Sequence, residues 1–178
     1  MAERPAVVLT RPIAQSQLWS SALERAGFTV LAWPLIEVQA HQDVMRISAA
    51  LSAWHGYQAV MFVSPAAVHH IFQKQTPKAG WGLTRCWATG PGTRQALLQA
   101  GVPAELIDSP PPDAGQFDSE ALWQIVRAQV GPGQSVLIVR GTDQAASASH
   151  AGVGRDSLTQ QLQAASVTVA WAVSYQRQ

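Results

Sequence analysis

The feature that most constrains the fold is a repeated pattern. Val136-Leu137-Ile138-Val139-Arg140-Gly141 reads as a buried strand ending in a glycine turn, followed by a helix from Arg155 to Ala165 and a strand from Val167 to Tyr175. The chain opens on the same plan, with Val7-Val8-Leu9 and the turn Thr10-Arg11-Pro12, a helix from Gln15 to Ala26, and a strand from Phe28 to Val38. Aligned on Arg11 and Arg140, the copies share a helix exit, Ala26-Gly27-Phe28-Thr29-Val30 against Ala165-Ser166-Val167-Thr168-Val169. A repeated strand–helix–strand unit implies two like lobes built from crossover-linked strands. The second copy is longer by the loop from Asp143 to Gly154.

The chain between the copies continues the alternation. A polar linker and a short helix with Val44, Ile47, Ala50, Leu51 and Trp54 on one side lead to the strand Ala59–Val63. Ser64-Pro65 then starts a helix over 66–73, serine and proline being favoured at its cap and first position. The strand Arg85–Thr89 ends in Gly90-Pro91-Gly92 and a helix from Thr93 to Ala100 follows. A short extended segment, Val102–Ile107, and the proline-rich loop 108–115 precede a helix from about Asp118 or Ser119 to Val130. Such a series predicts a doubly wound parallel sheet. Ala59 to Tyr175 holds enough elements for one complete lobe, with Val7 to Glu37 projecting from it as a single βαβ unit. Continuously apolar Val7–Leu9 predicts a strand buried on both faces, and Leu18, Ala22, Leu23 and Ala26 a buried helical stripe.

Composition excludes several classes. The net charge of +1 offers no field for nucleic acid, and no apolar run is long enough to span a membrane. One cysteine, Cys86, rules out an internal disulfide and fits a reducing cytoplasm; in its apolar run it reads as a buried small hydrophobe. His69-His70 does not make a metal face, because adjacent helical residues point about 100° apart. No dinucleotide fingerprint, phosphate-loop lysine, serine–histidine–acid set or carboxylate pair is visible.

The informative pattern lies at the carboxyl ends of the strands, where open α/β sheets bind ligands. Thr10-Arg11-Pro12, Val63-Ser64-Pro65, Thr89-Gly90-Pro91-Gly92-Thr93 and Val139-Arg140-Gly141-Thr142 are each expected to run straight into a helix N-terminus. One such turn is ordinary capping. Several on one rim favour a cleft for a polyanion, held by backbone N–H groups and helix dipoles with few formal charges.

These stretches resemble the uroporphyrinogen-III synthase family. The resemblance is carried by Leu9-Thr10-Arg11-Pro12, Ala26-Gly27-Phe28, Pro34-Leu35-Ile36-Glu37-Val38, Phe62-Val63-Ser64-Pro65-Ala66, Ala88-Thr89-Gly90-Pro91-Gly92-Thr93, Ser119-Glu120-Ala121-Leu122, Val136–Gly141 with Gly154-Arg155, and Tyr175-Gln176-Arg177. It implies two flavodoxin-like doubly wound parallel-sheet lobes joined by a two-stranded linker, the second lobe complete and the first incomplete in this chain. The expected division is an incomplete first lobe over residues 1–38, a complete lobe over 39–171 and a return linker over 172–178. The family cyclises hydroxymethylbilane to uroporphyrinogen III, with loss of water and inversion of the terminal pyrrole ring, in the haem pathway. It uses no metal or organic cofactor.

The resemblance makes Tyr175 the candidate for assisting departure of the hydroxyl. Arg11, Ser64, Gly90, Thr93, Ser119 and Arg140 become candidates for binding the linear tetrapyrrole polycarboxylate. It further implies a cytoplasmic enzyme, monomeric when full length. The family's chain goes on beyond the point matched by Gln178 to finish the first lobe. Tyr175 is therefore expected to face solvent here, and this chain alone to turn over poorly. The other reading is a non-catalytic or degenerate α/β module that binds a carboxylated ligand.

Overall fold

The computed structural model describes residues 5–41, 44–73, 75–143 and 153–178. The first copy of the repeat forms β1 (Ala6–Leu9), α1 (Ile13–Arg25) and β2 (Thr29–Ala32), with the strands parallel and in register from Ala6↔Thr29 to Leu9↔Ala32. Two strands and one helix can cover only one face. Val7, Leu9 and Val30 are accordingly half-buried, while the cross-strand partners Val8 and Leu31 are 50% and 54% exposed. The expected burial on both faces is not found, and the α1 stripe is corrected with it: Leu18 is 86% exposed, although Leu23 is half-buried.

The second sheet has six strands. Its members are β3 (Val38–Ala40), β4 (Ala59–Phe62), β5 (Arg85–Ala88), β6 (Ile107–Asp108), β7 (Ser135–Asp143) and β8 (Thr168–Arg177), in the order β3-β8-β7-β4-β5-β6. All neighbours are parallel except β3, which pairs antiparallel with the end of β8 from Ala40↔Tyr175 to Val38↔Arg177. β3 is the strand through which the chain passes from the β1–β2 unit into this sheet. If β7 and β8 are counted as first and second strands, the five parallel strands follow the 2-1-3-4-5 order of flavodoxin-like sheets. The chain enters this order at its third strand.

Helices cover both faces. The helices α2 (Val44–Ser52), α3 (Pro65–Phe72) and α4 (Pro91–Gln99) pack on the side of Val60, Phe62, Leu137, Val139 and Ala172, with Trp54 fully buried beneath them. The helices α5 (Ser119–Val126) and α6 (Val153–Ala164) pack on the side of Met61, Trp87, Val136 and Ile138. These central strands are apolar on both faces because both faces are covered. Cys86 is fully buried in β5, where burial pushes its thiol up to about 12, so it packs as a small hydrophobe. The segment expected to be extended before β6 instead contains a 3₁₀ turn, Ala104–Leu106. Most of the expected loop from Asp143 to Gly154 lies outside the described residues.

One departure matters for the site. Arg140-Gly141 does not turn into a helix. β7 continues through it to Asp143, because β8 is long enough to go on offering hydrogen-bonding partners, with a register shift between Arg140 and Gly141.

The repeat extends to backbone detail. In α1 the N–H of Phe28 donates to Leu23 O at 3.0 Å and that of Gly27 to Glu24 O at 3.0 Å; in α6 Val167 donates to Leu162 O at 3.0 Å and Ser166 to Gln163 O at 2.9 Å. Both exits are left-handed turns that satisfy the last carbonyls. Gly27 supports one at φ 91°, but Ser166 carries a side chain at φ 59°. Ser166→Gly is therefore expected to stabilise the protein by about 0.5–1 kcal/mol, and Gly27→Ala to destabilise it by a similar amount. Urea unfolding of both variants checks the pair; a Ser166→Gly midpoint below wild type would contradict this account of the turn.

Candidate active site

In the 2-1-3-4-5 order the strand sequence reverses between β7 and β4. The connection after β4 runs to α3 on one face and that after β7 runs to α6 on the other. The crevice between their carboxyl ends is where such sheets receive ligands. Here it is bounded by Ser64 after β4 and Gly141 in β7, and the side chain that occupies it is Tyr175. Its Oη lies 3.1 Å from Ser64 Oγ, and its ring lies against Gly141 and near His70. Tyr175 is only 6% exposed, which corrects the expectation that it faces solvent. The reason is local: its ring is covered by α3 of its own sheet and needs no opposing lobe.

Ser64 is the most connected rim residue. It caps α3 from an extended conformation, its Oγ accepting from Ala67 N at 3.2 Å, and Pro65 follows at the first helical position as its sequence requires. The next turn sits beside it. Thr89 Oγ1 donates to Val63 O at 3.4 Å, and a Cβ on Gly92 would touch Pro65 at 3.5 Å. Gly90 caps α4 without a side-chain bond; a Cβ there would stand 3.2 Å from Cβ of Phe117, so glycine is used for closeness. No acidic residue lies in the first turn of α4, and its N-terminus keeps its positive end available.

The remaining candidates are not gathered with these. Thr93 and Ser119 are buried in the first turns of α4 and α5, at 3% and 7% exposure. The α5 N-terminus already holds its own anion, since Asp118 Oδ1 accepts from Ala121 N at 2.9 Å and Glu120 follows, which disfavours an added carboxylate there. Arg140 lies on the other face of the sheet from Tyr175; its guanidinium stacks over Trp171, 4.6 Å from the ring centroid, and its Nε is buried without a hydrogen bond. Arg11 is exposed at the end of β1, with its guanidinium 5.8 Å from the ring centroid of Trp19 on α1. Among the described residues, no group of three or more histidine, cysteine or acidic side chains is placed to hold a metal.

A cleft of about 800 Å³ opens beside this crevice. One wall is Pro12, Ile13 and the run Pro34–Val38; the other includes Pro65, Ala66, His69 and His70 of α3. None of the seven residues expected from the sequence lines it. His70 links the two places, lining the cleft while its ring stands 5.9 Å from that of Tyr175 and 30° from parallel. The sequence marks His70 only as one of an adjacent helical pair, at the surface or partly buried, and Gly141 only as a turn. Their roles come from contacts between distant segments, which no local pattern signals.

The fold defines an open, doubly wound α/β protein with a crevice at the strand-order reversal. The profile of the family described as uroporphyrinogen-III synthase HemD matches residues 17–178, and the chain belongs to that family. Among solved structures, a mutant uroporphyrinogen III synthase of the extremely thermophilic bacterium Thermus thermophilus is similar at a TM-score of 0.59 and 14% identity, over 97% of this chain and 62% of that one. The wild-type enzyme of the same bacterium, in another crystal form, gives 0.52 and 15% over the same shares. At such identity the likeness is one of fold, and this chain spans 62% of the length of those relatives. No curated protein matches the sequence significantly.

The environment of His70 sets a pH dependence. Burial first, and the neighbouring His69 second, lower its pKa below 6.5, opposed by the side chain of Gln73. A histidine kept neutral by the fold takes up a proton more readily when unfolded. Its effect is thus absent well above 6.5, and stability falls as pH drops below 6.5 toward the folded-state value. His70→Gln is expected to shrink the loss of urea midpoint between about pH 7.5 and about pH 5.5. An undiminished loss in the variant would place the acid sensitivity elsewhere.

Proposed function

We propose that this chain provides uroporphyrinogen-III synthase activity, a cofactor-independent hydro-lyase reaction that closes hydroxymethylbilane to uroporphyrinogen III. The observation that carries the reading is membership of the family over residues 17–178. The crevice agrees with it. Ser64 Oγ accepts from Ala67 N, so its own proton is free to be given to Tyr175 Oη. The proton of Tyr175 is then free to go to the departing hydroxyl, which leaves as water, and Ser64 stabilises the phenolate left behind. The uncapped N-terminus of α4 at Gly90 supplies backbone N–H groups for a substrate carboxylate, with Thr93 in its first turn. Arg11, exposed at the end of β1, serves another part of a long, multiply charged substrate, whereas Arg140 on the far face and Ser119 at an N-terminus held by Asp118 are left out of this crevice; positioning of the two substrate ends accounts for most of the rate.

The same reading assigns residues 1–38 to an incomplete first lobe, 39–171 to the complete second lobe and 172–178 to the return linker. It takes the full-length enzyme as a cytoplasmic monomer that acts on a small molecule and not on nucleic acid. No helix among the described residues is long and apolar enough to cross a membrane.

The test is a coupled assay from porphobilinogen that separates isomer III from isomer I. Isomer III should form in excess of the spontaneous isomer I, and Tyr175→Phe should lower its rate by roughly 10²-fold. Binding of a linear tetrapyrrole without any isomer III would instead identify a non-catalytic member of the family.

A further inference from the structure

The ligand crevice of this sheet is filled by the protein's own tyrosine, and the way it is held is specific. Three features of the backbone and its neighbours act together. The first is the register shift: Arg140 pairs with Val173 but Gly141 pairs with Tyr175, so Ser174 is an extra residue in β8. In a regular ladder Ser174 and Tyr175 would face opposite sides. The bulge lets both face α3, where Ser174 Oγ donates to Ala67 O at 3.3 Å and Tyr175 reaches Ser64.

The second feature is the absence of a side chain at residue 141. A Cβ on Gly141 would overlap Cε2 and Cζ of the Tyr175 ring equally and stand 2.8 Å from Cδ2. Near-equal closeness to two bonded ring atoms with a third so near places it over the face of the ring, not at its edge. The ring therefore lies flat on the backbone of β7. Gly141 is not among the residues with positive φ, so glycine is needed here for space alone. The third feature is His70. Among the described residues it is the one that both lines the cleft and packs its ring against Tyr175.

We propose that Gly141 and His70 are positioning residues for Tyr175, holding its ring on the floor of the crevice so that its hydroxyl stays on Ser64 at the head of α3. The inference rests on Tyr175 acting in the proposed synthase reaction. The contact itself stands on geometry and can be read without turnover. A larger residue at 141 lifts the ring and separates the hydroxyl from Ser64. Removal of the imidazole at 70 frees the ring on the side of the cleft.

The protein has two tyrosines, Tyr57 and Tyr175, so tyrosine labelled with carbon-13 at Cζ gives two signals, assigned with Tyr57→Phe. Gly141→Ala and Ser64→Ala are each expected to move the Tyr175 signal and leave that of Tyr57 in place, the latter reporting an intact fold. If Gly141→Ala does not fold, His70→Ala on the flank of α3 reads the same hold and should move the same signal. In the coupled assay, Gly141→Ala should lower kcat for isomer III about tenfold with KM changed less than about threefold. In a Tyr175→Phe background it should cost less than about twofold, since the position acts through the hydroxyl. An unmoved Tyr175 signal in folded Gly141→Ala overturns the proposal, as does an equal loss of kcat in both backgrounds. If wild type forms no isomer III, the synthase reading fails, and the Tyr175 signal alone decides the hold.

Discussion

The pairing of β8 with two different neighbours is the constraint on which the rest of the molecule depends. Over most of its length β8 runs parallel to β7 and closes one side of the main sheet; over its last residues it also pairs antiparallel with β3. One strand thereby fixes the edge of the core, the link to the β1–β2 unit and the location of Tyr175. Paired residues on a ladder have their facing set by register, and a slip of one residue exchanges the two faces. The bulge at Ser174 is such a change, confined to one place. Upstream of it Ala170 and Ala172 pack toward the α3 side; at it, Tyr175 is brought to that same side instead of the opposite one.

Charge is used sparingly around the crevice. With a net charge of +1 the protein does not attract an anion through its overall field. Its helix ends are what differ from one another. The α5 N-terminus is neutralised by Asp118, the α3 N-terminus is capped by Ser64, and the α4 N-terminus at Gly90 has neither. The rim is therefore graded, with one open position on the turn next to Ser64. Arg85 and Asp108 form a bidentate pair, at 2.8 and 2.5 Å, that ties β5 to β6. It is a structural contact, partly exposed, and contributes little to anion binding.

Much of the fold is legible in the sequence because it is written locally. Ser64-Pro65 announces a helix start by its own chemistry and α3 begins there, whereas α4 begins at Pro91, two residues before the expected Thr93, because Pro91 fits the first helical position after Gly90. The repeat is legible for the same reason, down to matching exits at Gly27 and Ser166. Arg140-Gly141 misleads because a glycine after an apolar run ordinarily ends a strand, whereas continuation depends on the length of the partner, β8. Leu18 shows the other limit: periodicity reveals a stripe on a helix but not whether anything lies over it. At the site, Ser64 is marked by its cap, but its bond to Tyr175 joins two distant parts of the chain. Gly141 and His70 take their meaning from that same long-range contact. Of the seven candidate residues that the sequence offers, the structure joins Ser64 to Tyr175, sets Gly90 beside them and leaves Arg140 on the far face.

The buried cysteine has a consequence of its own. Cys86 is the chain's one thiol, fully enclosed in β5 and, with its pKa at about 12, not ionised while enclosed. Thiol reagents react with the thiolate, so modification in native buffer has to wait until β5 separates from the helices above it. When reclosing outpaces reaction, the observed rate is the intrinsic thiol rate multiplied by the fraction of molecules open at that strand. The protein thus contains a built-in gauge of how often the centre of its sheet comes apart, at a position that no ligand in the crevice needs to touch.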